Sequence, residues 1–267
     1  MRAYADTPFG QLHYATVGEG PALLLLHQTP RSHDEFREVQ PLLAEGYRGM
    51  VAGRRVIAMD MLGFGMSAAL PAPQRIEQFA AGAVALLDAL GVAEADVLGH
   101  HTGGVVAMEM AATAPERVRG LVLSSTPWTG PEYRAHHART TAVDDVEQSE
   151  DGGHLMELWR LRQPYYPAGR PDLLDRFVRD ALAVDAAEGH RACGRYVMED
   201  RAGLVTAPVL LLGASADPFG MRALPVLRER LVNARSVEVR VVEGGMVPVM
   251  EQAPREVAVV VNEFLSE

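Results

Sequence analysis

The chain contains no lysine: all 25 basic residues among its 267 are arginine. That absence excludes Schiff-base catalysis, a pyridoxal-phosphate lysine and a P-loop. Cysteine is nearly absent as well. Cys193 stands alone, so no internal disulfide can form, which fits a reducing compartment. It lies in a helical stretch without a CxxC neighbour and reads as a small buried side chain rather than a catalytic thiol. Long hydrophobic runs are missing too. The longest, such as Ala22 to Leu26, are strand-length and far short of the ~20 residues a bilayer span requires. The first residues, Met1-Arg2-Ala3-Tyr4-Ala5-Asp6, hold no apolar signal region, so a cytoplasmic location without membrane contact is expected. A formal net charge of -10 argues against nonspecific binding of nucleic acid.

What is present is a chain with 48% hydrophobic residues, enough to bury a sizeable core as one domain with an inserted lid. Arg2 to Asp6 and Gln11 to Val17 alternate like an antiparallel pair around the turn signal Pro8-Phe9-Gly10. Apolar runs at Ala22 to Leu26, Val56 to Met59, Val97-Leu98 and Leu121 to Leu123 read as buried strands. Between them, Ile76 to Leu90 and Gly104 to Ala114 carry helical patterns, the first followed by Gly91 and the second by Pro115. Strand and helix in alternation imply a mostly parallel sheet covered on both faces. From Pro131 to about Ala202 the sequence turns polar and helical. Alternation resumes with a strand at Val209 to Leu212, a helix from Met221 to Leu231, a strand at Val237 to Val242 and a last helix from about Pro254 to Phe264. The expected organisation is a sheet-based core of residues 1–127 and 206–267 with a helical cap at 128–205.

Five motifs sit at strand ends: His27-Gln28-Thr29-Pro30; Asp60-Met61-Leu62-Gly63-Phe64-Gly65-Met66-Ser67; Gly99-His100-His101-Thr102-Gly103-Gly104; Gly213-Ala214-Ser215-Ala216-Asp217-Pro218; and Gly244-Gly245-Met246 with Glu251-x-x-Pro254. In this order and at these intervals the chain resembles the α/β-hydrolase superfamily over essentially its whole length. The resemblance implies an α/β-hydrolase fold, with residues 99 to 104 as the sharp strand-to-helix turn that mounts a nucleophile, G-x-S-x-G. Two departures matter. His101 occupies the nucleophile position, and Met246 stands where the family carries its catalytic histidine. Asp217 stands where the family carries its acid, so no standard triad can form.

The oxyanion-stabilising half of such a site does not depend on serine. The backbone N–H of Thr102, at a helix start, and by resemblance that of Thr29, supply two donors. Imidazole titrates near neutrality and suits general-base work. The leading expectation is an Asp217–His101 dyad, with one ring nitrogen held by the carboxylate and Met246 packed beside the ring. Its uses are activation of water against an ester, lactone or ketone, or removal of a proton from carbon or oxygen in a lyase or isomerase. Direct attack to give an acyl-imidazole is a third use. The competing class is a ligand-binding protein that has lost catalysis. Asp217-Pro218 also has a plainer reading as a helix start.

Further residues complete the expected substrate-binding set. Gln28 binds a substrate oxygen or braces its loop. His100 serves structure beside the site, and Trp159 and Tyr165 roof the cleft or fill the cap core. His136-His137 reads as solvated surface, Ser67 as a loop brace, and Ser124 and Ser125 as serines near the elbow. No metal site is expected, since adjacent His100 and His101 side chains diverge and no HExxH spacing occurs. Neither a cofactor nor a macromolecular partner is implied. The partner is a small-molecule substrate, and oligomeric state stays open, a homodimer being compatible with the sequence.

Overall fold

The computed structural model describes residues 1–45 and 53–266. Eight strands form one sheet in the order β1-β2-β4-β3-β5-β6-β7-β8. They are β1 (Arg2–Thr7), β2 (Gly10–Val17), β3 (Ala22–Leu26), β4 (Arg55–Met59), β5 (Ala95–His100), β6 (Val118–Ser124), β7 (Val209–Ala214) and β8 (Val237–Val242). β1 and β2 pair antiparallel, as does β2 with β4, and every later pairing is parallel. The helices are α1 (Val39–Ala44), α2 (Ile76–Ala89), α3 (Thr102–Thr113), α4 (Pro131–His137), α5 (Gly153–Arg162), α6 (Pro171–Leu182), α7 (Ala186–Arg195), α8 (Leu224–Arg230), α9 (Val249–Gln252) and α10 (Pro254–Phe264).

The central strands are buried along their length because helices cover both faces of the sheet. Leu24 and Leu26 of β3 point to one side, into a core shared with Phe79 of α2 and Val105 and Met108 of α3. Leu23 and Leu25 point to the other, where Leu43 of α1 and Val257 and Val261 of α10 pack. This is the two-residue alternation of a pleated strand applied to an all-leucine run. The four helices α4 to α7 lie between β6 and β7; α5 and α6, with Ala186 of α7 and Val247, build a smaller core in which Leu173, Leu174, Phe177 and Ala181 form the buried stripe of α6, while Ala192 and Cys193 of α7 pack into the main core. Among the described residues no helix is long and apolar enough to cross a membrane.

Most element positions match the sequence pattern, with two physical exceptions. The pattern starting at Met221 becomes helix only from Leu224, because the preceding turn is held by Asp217 rather than by helical bonds. Helix α1 carries only six residues, too few for a period to show in sequence. A buried ion network, also silent in the sequence, ties the loop after β3 to the helices beyond it. Arg31 is fully buried; its two Nη groups donate to Glu251 of α9 at 2.7 and 3.1 Å, and its Nε donates to Asp180 of α6 at 3.0 Å. Desolvating that guanidinium is offset only because each arm has a carboxylate partner.

Candidate active site

The loops bearing the five sequence motifs all leave the carboxyl end of the parallel strands, where open α/β sheets place their ligand crevice. The turn after β5 is the tightest of them. His101 takes φ 47 and ψ -113, a strained conformation for a non-glycine residue, and its N–H donates to Ser124 O at 2.9 Å. Gly99 and Gly103 make room for this turn. A Cβ on Gly99 would lie 2.1 Å from Gly103 O, and one on Gly103 would lie 1.9 Å from Leu26 O. Neither contact can relax, because backbone is the obstacle in both.

The strain aims the His101 ring at Asp217. Nε2 of His101 lies 2.8 Å from Oδ2 of Asp217, whose side chain is fully buried. The approach is bent, so the pair is close without meeting strict hydrogen-bond alignment. A small rotation of the ring aligns the pair, and such bonds tighten when substrate arrives. The other carboxylate oxygen, Oδ1, accepts the N–H groups of Phe219 at 2.9 Å and Gly220 at 3.3 Å. Asp217 therefore holds a turn with one oxygen and faces the histidine with the other. Burial opposes its ionisation, but the charge and bonding of His101 and the Phe219 N–H outweigh burial and hold the carboxyl well below the usual carboxylate range. With Nε2 directed at a carboxylate, the neutral ring carries its proton there and leaves Nδ1 as the bare nitrogen.

His101 opens onto a cavity of about 810 Å³ lined also by Gln28, Thr29, Thr102, Trp128 and Phe219. Thr29 and Thr102 reach it from the ends of the neighbouring strands β3 and β5. Thr102 opens α3, so its N–H lacks an intrahelical acceptor. The Thr29 N–H likewise has no partner among the described residues. Gln28 has less freedom: its backbone N–H and its Nε2 both donate to Glu35, at 2.9 and 3.1 Å. Its amide nitrogen braces the loop, while the rest of the side chain still borders the cavity.

Other expected site residues lie elsewhere. His100 is fully buried behind His101, its Nδ1 3.1 Å from Ser124 Oγ and its Nε2 donating to Val247 O at 2.9 Å. Burial, reinforced by the neighbouring His101, lowers its pKa to about 3, so it is neutral and does not border the cavity. Met246 is half-buried, its N–H donating to Gln252 Oε1 at 2.7 Å, and Val247 rather than Met246 lines the cavity. Trp159 and Tyr165 pack on the core of the helical insert instead of roofing the cavity; Tyr165 supports Phe219 from behind, ring centroids 4.9 Å apart. Conversely, His136 and His137, read as solvated surface, both line the cavity. Ser124 and Ser125 are fully buried and are not among the residues lining this cavity. Burial pushes the Cys193 thiol up to about 12, which keeps it protonated and inert.

Sequence reasoning missed four cavity residues. Trp128 follows β6 and Phe219 follows Asp217, so proximity to strand ends could have flagged them. Arg162 and His190, with their buried partner Asp144, are spread over three segments and leave no motif. Among the described residues, the one cluster with metal-ligand spacing is His13, His33 and Asp60. It lies off the cavity, and both Asp60 oxygens are already taken: Oδ1 by the backbone and ring of His33, Oδ2 by the His13 ring and the Met66 N–H. That arrangement braces two loops.

Comparison with known proteins agrees with the geometry. The family model described as the alpha/beta hydrolase fold matches residues 21–188. Over 127 residues the chain is 39% identical to the bifunctional epoxide hydrolase 2 of Mus musculus, a match covering 46% of this chain and 21% of that protein's length. It is 25% identical over 213 residues to 3-oxoadipate enol-lactonase 2 of Acinetobacter baylyi, covering 78% of this chain and 76% of the relative. Among solved structures, an epoxide hydrolase from an endophytic Streptomyces superposes with a TM-score of 0.79 at 22% identity, over 100% of this chain and 95% of the other.

Proposed function

The chain belongs to the alpha/beta hydrolase fold family, and on that premise we propose that it is an enzyme hydrolysing a small organic ester, lactone or ketone. His101 is the general base, Asp217 the residue that orients it, and the backbone N–H groups of Thr29 and Thr102 the oxyanion hole. The helical insert at 128–205 serves as the cap over a core of residues 1–127 and 206–267. The observation that carries this reading is the 2.8 Å separation of His101 Nε2 and buried Asp217 Oδ2 in a ring that also borders the cavity.

The chemistry follows from that placement. Nδ1 of His101 takes a proton from water as the hydroxyl oxygen bonds to the carbonyl carbon. Negative charge moves to the carbonyl oxygen, where fixed N–H dipoles stabilise it without having to reorganise. Asp217 stabilises the imidazolium, and the helix N-terminus at Thr102 adds positive potential. The intermediate then collapses and expels its leaving group. Relatives named epoxide hydrolase and enol-lactonase support a small, electrophilic substrate.

Turnover of a panel of small esters, lactones and diketones tests the proposal. Wild-type protein hydrolyses at least one member. His101→Ala lowers its kcat/KM by about 100-fold or more, the scale of general-base catalysis, and Asp217→Asn causes a loss of similar order. A substrate hydrolysed equally well by all three proteins would refute the dyad.

A further inference from the structure

A second histidine held by a buried aspartate, His190, borders the same cavity and is unused by the hydrolytic steps above. His190 lies on α7, and its Nε2 is 2.8 Å from Oδ2 of Asp144, between α4 and α5. Asp144 is buried and also accepts Nε of Arg162 at 2.8 Å and a second bond from Arg162 Nη2. Burial alone would protonate this carboxyl, but the Arg162 charge and the His190 bond hold its pKa at about 2. It is thus an ionised acceptor and the nearer partner of Nε2; Arg162 Nη2 also lies 3.2 Å from Nε2, but it is only a donor and already donates to Asp144. The proton on His190 Nε2 therefore points at Asp144. Nδ1 has no hydrogen-bond partner among the described residues and is not fully buried, and His190 lines the cavity.

His101 and His190 hence share a design: one ring nitrogen held by a buried aspartate, the other free, and both rings bordering one cavity. They come from opposite parts of the molecule, His101 from a strand end and His190 from the helical insert. The Arg162–Asp144 pair is bidentate by itself, so clamping the insert does not require a third member.

We propose that His190, oriented by Asp144, is a second catalytic residue that protonates the leaving group while His101 activates water. This rests on the hydrolytic reading above. Water gives its proton to His101 and its oxygen to the carbonyl carbon. The bond from that carbon to the leaving oxygen breaks with its electron pair on oxygen, and that oxygen takes the Nδ1 proton of an imidazolium at His190. His101 then releases one proton to solvent and His190 regains one, so substrate and water become acid and alcohol.

Leaving-group dependence tests this. An alkyl ester and a 4-nitrophenyl ester of the same acid are compared in wild type, His190→Gln and His190→Ala, with melting curves confirming fold. Glutamine keeps a donor for Asp144, so it carries the test even where alanine unfolds the insert. The alkyl ester, whose alkoxide must be protonated to depart, is expected to lose about 100-fold in kcat. The nitrophenyl ester, whose phenolate departs unassisted, is expected to lose only several-fold. Equal losses on both esters, as for a purely structural residue, or no loss on the alkyl ester, overturn the proposal. If both esters are hydrolysed and His101→Ala abolishes turnover, such a result removes His190 alone. Wild-type protein inactive on both esters removes the His190 proposal, and inactivity across the whole panel of esters, lactones and diketones removes the hydrolytic reading with it.

Discussion

A histidine at the turn after β5 is useful only if something fixes its proton, and the structure supplies Asp217 for that purpose. The partner was legible in sequence because Asp217 follows strand β7 in a motif that the family resemblance marks as the place of its acid. The side chains that surround the pair were less so. Met246 was expected beside the ring, yet the backbone turn pinned by Gln252 presents Val247 to the cavity instead. Residue-scale energetics are likewise set by burial that a sequence does not print. Glu35 is fully buried under the Gln28 loop, and burial, with Glu251 nearby, pushes its pKa up to about 8 despite the opposing Arg31 charge. From the ordinary value of 4.5 up to about 8, the folded protein keeps a proton that the unfolded chain releases. Stability therefore falls as pH rises through that window. Glu35→Gln removes this slope. Urea midpoints should show the variant gaining on wild type between pH 5 and pH 8, and a constant difference would show that Glu35 is ionised in the fold.

At the scale of elements, the site depends on how closely α3 approaches the sheet. Gly103 sits in the first turn of that helix, where alanine would ordinarily favour helix by up to about 1 kcal/mol. Here the added methyl would meet the carbonyl oxygen of Leu26 at 1.9 Å. Overpacking costs about 1–3 kcal/mol in a side-chain environment able to shift, and a central strand cannot shift, so the clash prevails. Gly103→Ala is expected to lower the urea midpoint and to depress turnover together, since the clash moves both the elbow and the loop carrying Thr29. Unchanged stability would mean that the helix has room to retreat. Elements themselves were readable where periodicity was long: α2 and α10 fall where the apolar pattern puts them. Short pieces such as α1, and the turn held by Asp217 ahead of α8, are decided by tertiary contacts that carry no period. The helical character of 128–205 was evident in its polarity, but which of its faces meets the cavity was not. Hence His136 and His137 line it while Trp159 does not.

For the whole molecule, the arrangement is a crevice at the carboxyl edge of a parallel sheet with a helical layer contributing His190, Arg162 and Tyr133 to its walls. Arg31, Glu251 and Asp180 couple that layer to the sheet through buried ion pairs, so the two halves of the cavity are held in register by charge as well as by packing. Within this frame the proposed role of His101 is to move a proton without forming a bond to substrate. Intact-protein mass spectrometry of samples acid-quenched during steady-state turnover of a hydrolysed ester distinguishes the two. Only the unmodified mass is expected while product accumulates. An acyl adduct on His101 would make the residue a nucleophile, and one on any serine would move the chemistry elsewhere; either would refute proton transfer as the role of His101.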